Sequence, residues 1–200
     1  MIKAIIFDYG GVITLGKFED IYDKLAEYLK INPEDFIKIR DKYLRRMFIG
    51  KISTERFCEI VKKEFNLDCD VLEYYKKAYL EVISKNINQD MLKLIKKLKN
   101  NYKLILLSNI LKLHADMNEK EGIFSDFDEL IFSYNVGFVK PDQRIYNLAL
   151  KRINLRPEEC IFIDDYKDNI KIAYELGIRT ILYKNEEDLI KNLNGLGVKC

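Results

Sequence analysis

The sequence predicts an α/β fold: a Rossmann-like parallel sheet with helices on both faces, carrying an all-helical cap after the first strand. Three observations predict it. Short apolar runs of strand length alternate with stretches at helical spacing, the pattern that builds parallel sheets. Four of these runs stop on polar residues at the carboxyl end: Asp8, Ser108, the 133–140 loop and the pair Asp164 and Asp165. Between residues 16 and 87 no strand pattern interrupts a series of amphipathic helices. A chain of 200 residues with 48% apolar side chains suits one core with a smaller inserted unit. The expected division is 1–15 with 88–200 for the core and 16–87 for the insertion.

The first strand covers residues 2–7 and delivers Asp8, followed by Tyr9, Gly10 and Gly11. Ile21, Leu25 and Leu29 then recur at helical spacing up to Asn32 and Pro33. A second helix restarts at Pro33 with Phe36, Ile37, Tyr43, Leu44 and Met47 on its apolar positions, and Gly50 breaks it. Ser53 is a candidate N-cap for a third, and 71–83 reads as a fourth. A helix over 89–99 leads to a buried strand over 102–107, and another helix runs to about Glu121. A short strand at 129–133, a loop over 134–142 and a helix to Lys151 follow. The last units are a strand at 160–163, a helix at 169–176 closed by Gly177 in a left-handed cap, and a strand at 178–183.

Composition narrows the function. The formal charge is +2, with both signs interspersed, so no basic stripe favours nucleic acid. No apolar run has the length of a membrane span, and no signal peptide is expected. Cys58, Cys69, Cys160 and Cys200 lie far apart, without C-x-x-C spacing, which argues against a zinc site or a disulfide framework. The expectation is a cytoplasmic protein acting on a small molecule. His114 is the one histidine, read as a partly exposed helix residue, so the carboxylates must carry the chemistry.

In an open α/β sheet, ligands bind at the carboxyl ends of the strands. Asp8 with Asp164 and Asp165 places oxygen ligands around one site, a donor set suited to Mg²⁺. Gly10 and Gly11 let backbone N–H groups approach an oxyanion. Ser108 and Asn109 precede a helix N-terminus, which suits a phosphate oxygen, and Lys140 adds a point positive charge. This kit fits phosphoryl transfer with an aspartate nucleophile.

Taken together, the segments 6–13, 107–109, 137–142 and 163–170 resemble, in order, the four signatures of the haloacid dehalogenase-like (HAD) hydrolases. The resemblance implies that Asp8 attacks phosphorus. It implies that Asp8, the Gly10 carbonyl and Asp165 hold Mg²⁺, with Asp164 as a further or outer ligand. Ser108 and Lys140 would hold phosphoryl oxygens, with Gly11 and Asn109 beside them. The insertion resembles the family's helical cap, with Arg45, Arg46 and Lys51 as candidate contacts to a small phosphorylated metabolite. One position departs from the pattern. Family phosphatases usually carry an acid–base aspartate two residues after the nucleophile, and here that residue is Gly10. Three readings follow: an Mg²⁺-dependent phosphatase acting through an aspartyl phosphate, a binding or regulatory protein with little turnover, and a 2-haloacid dehalogenase-like enzyme in which Asp8 attacks carbon. The phosphatase is preferred, because the nucleophile and the metal and phosphate ligands are retained.

Overall fold

The computed structural model, which describes residues 1–199, is built on five parallel strands. They are β1 (Ala4–Phe7), β2 (Lys103–Ser108), β3 (Glu129–Phe132), β4 (Cys160–Asp164) and β5 (Arg179–Leu182), in the spatial order β3-β2-β1-β4-β5. Side chains alternate across the sheet, so each strand feeds two cores. Ala4 and Ile6 join Ile105, Leu107 and Phe162 on one face, under α8 (Gln143–Ile153) and α9 (Lys167–Glu175). Ile5 and Phe7 join Leu104, Leu106 and Ile163 on the other. That second face is covered by α5 (Gln89–Leu98), α6 (Lys112–Lys120) and α10 (Glu186–Gly195).

Four helices stand between β1 and α5: α1 (Phe18–Leu29), α2 (Pro33–Phe48), α3 (Thr54–Glu64) and α4 (Val71–Val82). Their starts are set by local chemistry. The Asn32 side chain accepts from the N–H groups of Glu34 and Asp35, with Pro33 at the first helical position. Ser53 accepts from Arg56 N–H and Asp70 from Glu73 N–H. Their interior is aromatic, with Tyr22, Phe36, Phe57, Tyr75 and Tyr79 all buried. These rings continue into the sheet core on the Phe7 face and do not form a separate nucleus. The two connections run side by side: Leu15 N–H donates to Asn86 O and Asn88 N–H to Ile13 O, each at 2.9 Å.

The fold is the α/β sheet with two helical faces that the sequence predicts. Three details differ. The 134–142 loop opens with a helical turn, α7 (Ser133–Val136), stopped by Gly137 in the left-handed conformation. Helix α9 begins at Lys167, two residues earlier than the apolar spacing suggests. Helix α10 adds a further layer after the last strand, capped by Asn185 on Asp188 N–H. No helix is long and apolar enough to cross a membrane.

Candidate active site

The sheet order reverses at β1, whose neighbours are β2 and β4, and such a reversal opens a crevice at the carboxyl ends. Register decides what stands there. Phe7 pairs with Ile163, so the next residues, Asp8 and Asp164, leave adjacent strands side by side. Phe7 also pairs with Leu106, which brings Ser108 to the same edge.

Lys140 reaches into this edge from the loop after β3. Its ammonium lies 2.7 Å from Asp8 Oδ1 and 2.6 Å from Asp164 Oδ2, and all three side chains are buried. Burial pulls the Lys140 pKa down, but Asp164 and Asp8 outweigh it and hold the side chain charged. Burial pushes the Asp8 carboxyl up to about 7, because one lysine must serve it and the neighbouring Asp164 together. Asp8 Oδ1 takes both donors, the lysine and Tyr9 N–H at 2.6 Å, leaving Oδ2 to act. Asp164 is fully enclosed. It accepts from Tyr166 N–H, from Lys140 and, at both oxygens, from Asn169 Nδ2.

Asp165 differs from its neighbour. It is exposed, and burial of part of the group, followed by the charge of Asp164, raises its carboxyl. Ligand oxygens of Asp8, Asp164 and Asp165 lie within 4.8 Å of one another, a three-carboxylate cluster able to hold a dication. Excess negative charge in this cluster fits a cation, which would relieve the repulsion that lifts Asp8. Gly11 fits the same arrangement: its φ is +69°, and a Cβ there would lie 2.0 Å from Asp165 Oδ2. Only glycine lets Asp165 lie across this loop. At Gly10 a Cβ would meet nothing within 4 Å, so the absence of a side chain is a chemical choice and not a steric one.

The structure adds to one expectation and overturns another. Asn109, expected at the phosphate, has its side chain engaged on Lys140: Nδ2 donates to Lys140 O at 2.9 Å and Oδ1 accepts from Lys140 N–H at 2.8 Å. It holds the lysine's backbone as a neighbouring strand would. His114 is not partly exposed. It is 3% exposed, with Nε2 3.0 Å from Tyr75 Oη and its ring stacked on Tyr79 at 4.1 Å. Burial drives its pKa down to about 3, so the imidazole is neutral. It lines a cavity of about 60 Å³ together with Gly10, Ser108 and Tyr79. Arg45, Arg46 and Lys51 are exposed, and Arg45 joins Arg144 in holding the Asp142 carboxyl low. Sequence reading missed the part played by Asn169. Its signal was the spacing Asp164 to Asn169, which puts an amide in the first turn of α9 facing back to the strand end.

A family model described as haloacid dehalogenase-like hydrolase matches residues 2–177. The chain belongs to the haloacid dehalogenase-like hydrolases. It is 30% identical over 205 residues to D-ribitol-5-phosphate phosphatase of Bacteroides thetaiotaomicron, covering 94% of this chain and 95% of that one. It is also 30% identical over 209 residues to acyl-CoA dehydrogenase family member 10 of Mus musculus, where 97% of this chain spans 19% of the longer protein. A HAD family enzyme of Bacteroides thetaiotaomicron, crystallised as a magnesium complex, superposes with a TM-score of 0.82 at 25% identity, over 96% of this chain and 98% of that one. This HAD hydrolase therefore shares fold and length with a named phosphatase.

Proposed function

We propose that the protein is an Mg²⁺-dependent phosphomonoesterase acting on a small phosphorylated metabolite. One observation carries the reading: a buried lysine joins two carboxylates at adjacent strand ends, with a third, exposed carboxylate beside them. The named phosphatase among its relatives supports a phosphate ester as substrate. Asp8 Oδ2 is the nucleophile. Asp8, the Gly10 carbonyl and Asp165 would hold the magnesium ion. Asp164, whose oxygens are taken by Lys140, Tyr166 and Asn169, acts behind them by fixing the lysine. When bound, the ion neutralises charge on the phosphoryl oxygens and on the carboxylates.

Asp8 attacks phosphorus and forms an aspartyl phosphate as the ester P–O bond breaks, and the departing alkoxide takes its proton from water. Ser108 and Lys140 stabilise the charge on the transferring group. Water then cleaves the acyl phosphate and returns Asp8. The helices over 16–87 serve as the cap, closing over the strand ends and excluding bulk water.

Gly10 favours a second reading, a binding protein with little turnover, since general acid catalysis contributes about 10²–10⁴-fold. Hydrolysis of p-nitrophenyl phosphate separates the two, because its leaving group needs little protonation. Mg²⁺-dependent turnover lost in Asp8→Asn is the expected result. Mg²⁺ binding by the wild-type protein without turnover would establish the second reading.

A further inference from the structure

We infer that the small cavity between α6 and α4 is the subsite for the alcohol half of the ester, and that it selects a short, uncharged, hydroxyl-bearing group through His114. The inference rests on the phosphatase reading only for where the phosphoryl group sits. The cavity holds about 60 Å³ and touches Gly10 and Ser108, the residues flanking the nucleophile. Its far wall is Phe18, Tyr79, Ile83 and His114. A space of this size takes a few heavy atoms and no ring system larger than a sugar fragment.

Charge sets the first rule of selection. None of the residues lining the cavity is ionised: the tyrosines are protonated and His114, buried, is neutral. A carboxylate or a second phosphate entering it would lose water without gaining a counter-charge.

Hydrogen bonding sets the second. Tyr75 Oη is buried and meets His114 Nε2 at 3.0 Å. Beside it the buried Tyr22 hydroxyl has no partner among the described residues. In this proposal Tyr75 donates to Nε2, which leaves its own oxygen free to accept. That arrangement makes His114 the Nδ1–H tautomer. Nδ1 has no hydrogen-bond partner among the described residues, and His114 lines the cavity. The stack on Tyr79 and the edge contact with Phe18 fix the ring plane. Tyr79 lines the same wall through its ring, while its hydroxyl is enclosed and without a partner among the described residues. A neutral donor held rigidly in an apolar box discriminates by what it leaves unpaired: an alcohol lacking the hydroxyl leaves Nδ1–H stranded.

Calorimetry on Asp8→Asn in Mg²⁺ tests this without depending on turnover. The probes are three esters on one three-carbon chain: glycerol 1-phosphate, propyl phosphate and 3-phosphoglycerate. Glycerol 1-phosphate is expected to bind about tenfold tighter than propyl phosphate and about a hundredfold tighter than 3-phosphoglycerate. Adding His114→Phe, which keeps a ring in the stack, is expected to erase the difference between the first two. Should that protein not fold, Tyr75→Phe removes the donor to Nε2, releases the tautomer and narrows the same difference. Equal binding of 3-phosphoglycerate, a preference that survives both substitutions, or no binding of any ester would overturn the subsite. Absence of p-nitrophenyl phosphate turnover in the wild type would instead overturn the phosphatase reading and leave the binding result standing.

Discussion

The carboxyl edge of the sheet and the helical layer above it handle buried polarity in opposite ways. At the edge the groups are charged and committed. Lys140 bridges Asp8 and Asp164, Asn169 and Tyr166 lock Asp164, and Asn109 locks the lysine's backbone. Above it the groups are neutral, and several lack partners among the described residues: the hydroxyls of Tyr22 and Tyr79 and the Asn118 amide nitrogen. Charges in a low-dielectric setting must be held by fixed counter-charges or they neutralise. Neutral hydroxyls and an uncharged imidazole tolerate an incomplete set. The edge is therefore suited to one chemistry, and the layer above it to choosing what enters.

The two glycines of the first loop test how rigid the edge is. Gly11→Ala puts a Cβ onto Asp165 at a positive φ, so it displaces a carboxylate of the cluster. A displacement of about 1 Å at a reacting centre lowers rate about 10²-fold. The expected outcome is a loss of kcat/KM of that order or more, with a weakened response to Mg²⁺ in a titration of p-nitrophenyl phosphate hydrolysis. Normal Mg²⁺ dependence in Gly11→Ala would show that Asp165 does not need its place.

Gly10→Asp works in the other direction. The position is open, so a carboxyl can be built there without strain. It supplies the proton donor that the loop lacks, at the mouth of the His114 cavity. Turnover of an alkyl phosphate is expected to rise about 10–100-fold, and that of p-nitrophenyl phosphate much less, since only the poor leaving group needs the proton. An equal effect on both esters would mean that the protein already has another acid.

Asn109→Ala probes the next contact outward. It removes both bonds to the Lys140 backbone and leaves the lysine itself in place. A drop of about tenfold in kcat with little change in KM is expected, the mark of a positioning residue. An unchanged kcat would assign the lysine's placement to Asp8 and Asp164 alone.

Legibility in the sequence followed the same division. Strand ends were readable because the apolar runs end abruptly on Asp8, Ser108 and Asp164, and parallel register then juxtaposes them. The side-chain role of Asn109 was not legible, because its partner is 31 residues away and only tertiary structure reveals it. His114 was misread for a similar reason. Helical spacing places it on α6, but its burial comes from Tyr75 and Tyr79 on α4, which no local pattern connects to it.

In the wild type the two regions also oppose each other in stability, so that their pH dependences offset. In metal-free protein Asp8 holds its proton up to about pH 7, against 3.8 as the ordinary value. The folded state then binds more protons, so this group's stabilisation, complete below 3.8, is lost as pH rises toward 7. His114 runs the other way: its folded pKa is about 3 against an ordinary 6.5, so the unfolded chain binds more protons. Its contribution is complete above 6.5 and lost as pH falls toward 3. Each slope is at most about 1.4 kcal/mol per pH unit, and between pH 3.8 and 6.5 they cancel. Thermal unfolding across that window should therefore change sign with the substitution. Relative to wild type, Asp8→Asn should gain stability with rising pH, and His114→Phe should lose it. Added Mg²⁺ should flatten the His114→Phe profile, because a cation at the carboxylates lowers the Asp8 pKa and leaves the aromatic layer untouched. Parallel profiles for the two variants would mean that the buried charge at the sheet edge and the neutral imidazole above it do not differ in the way their surroundings require.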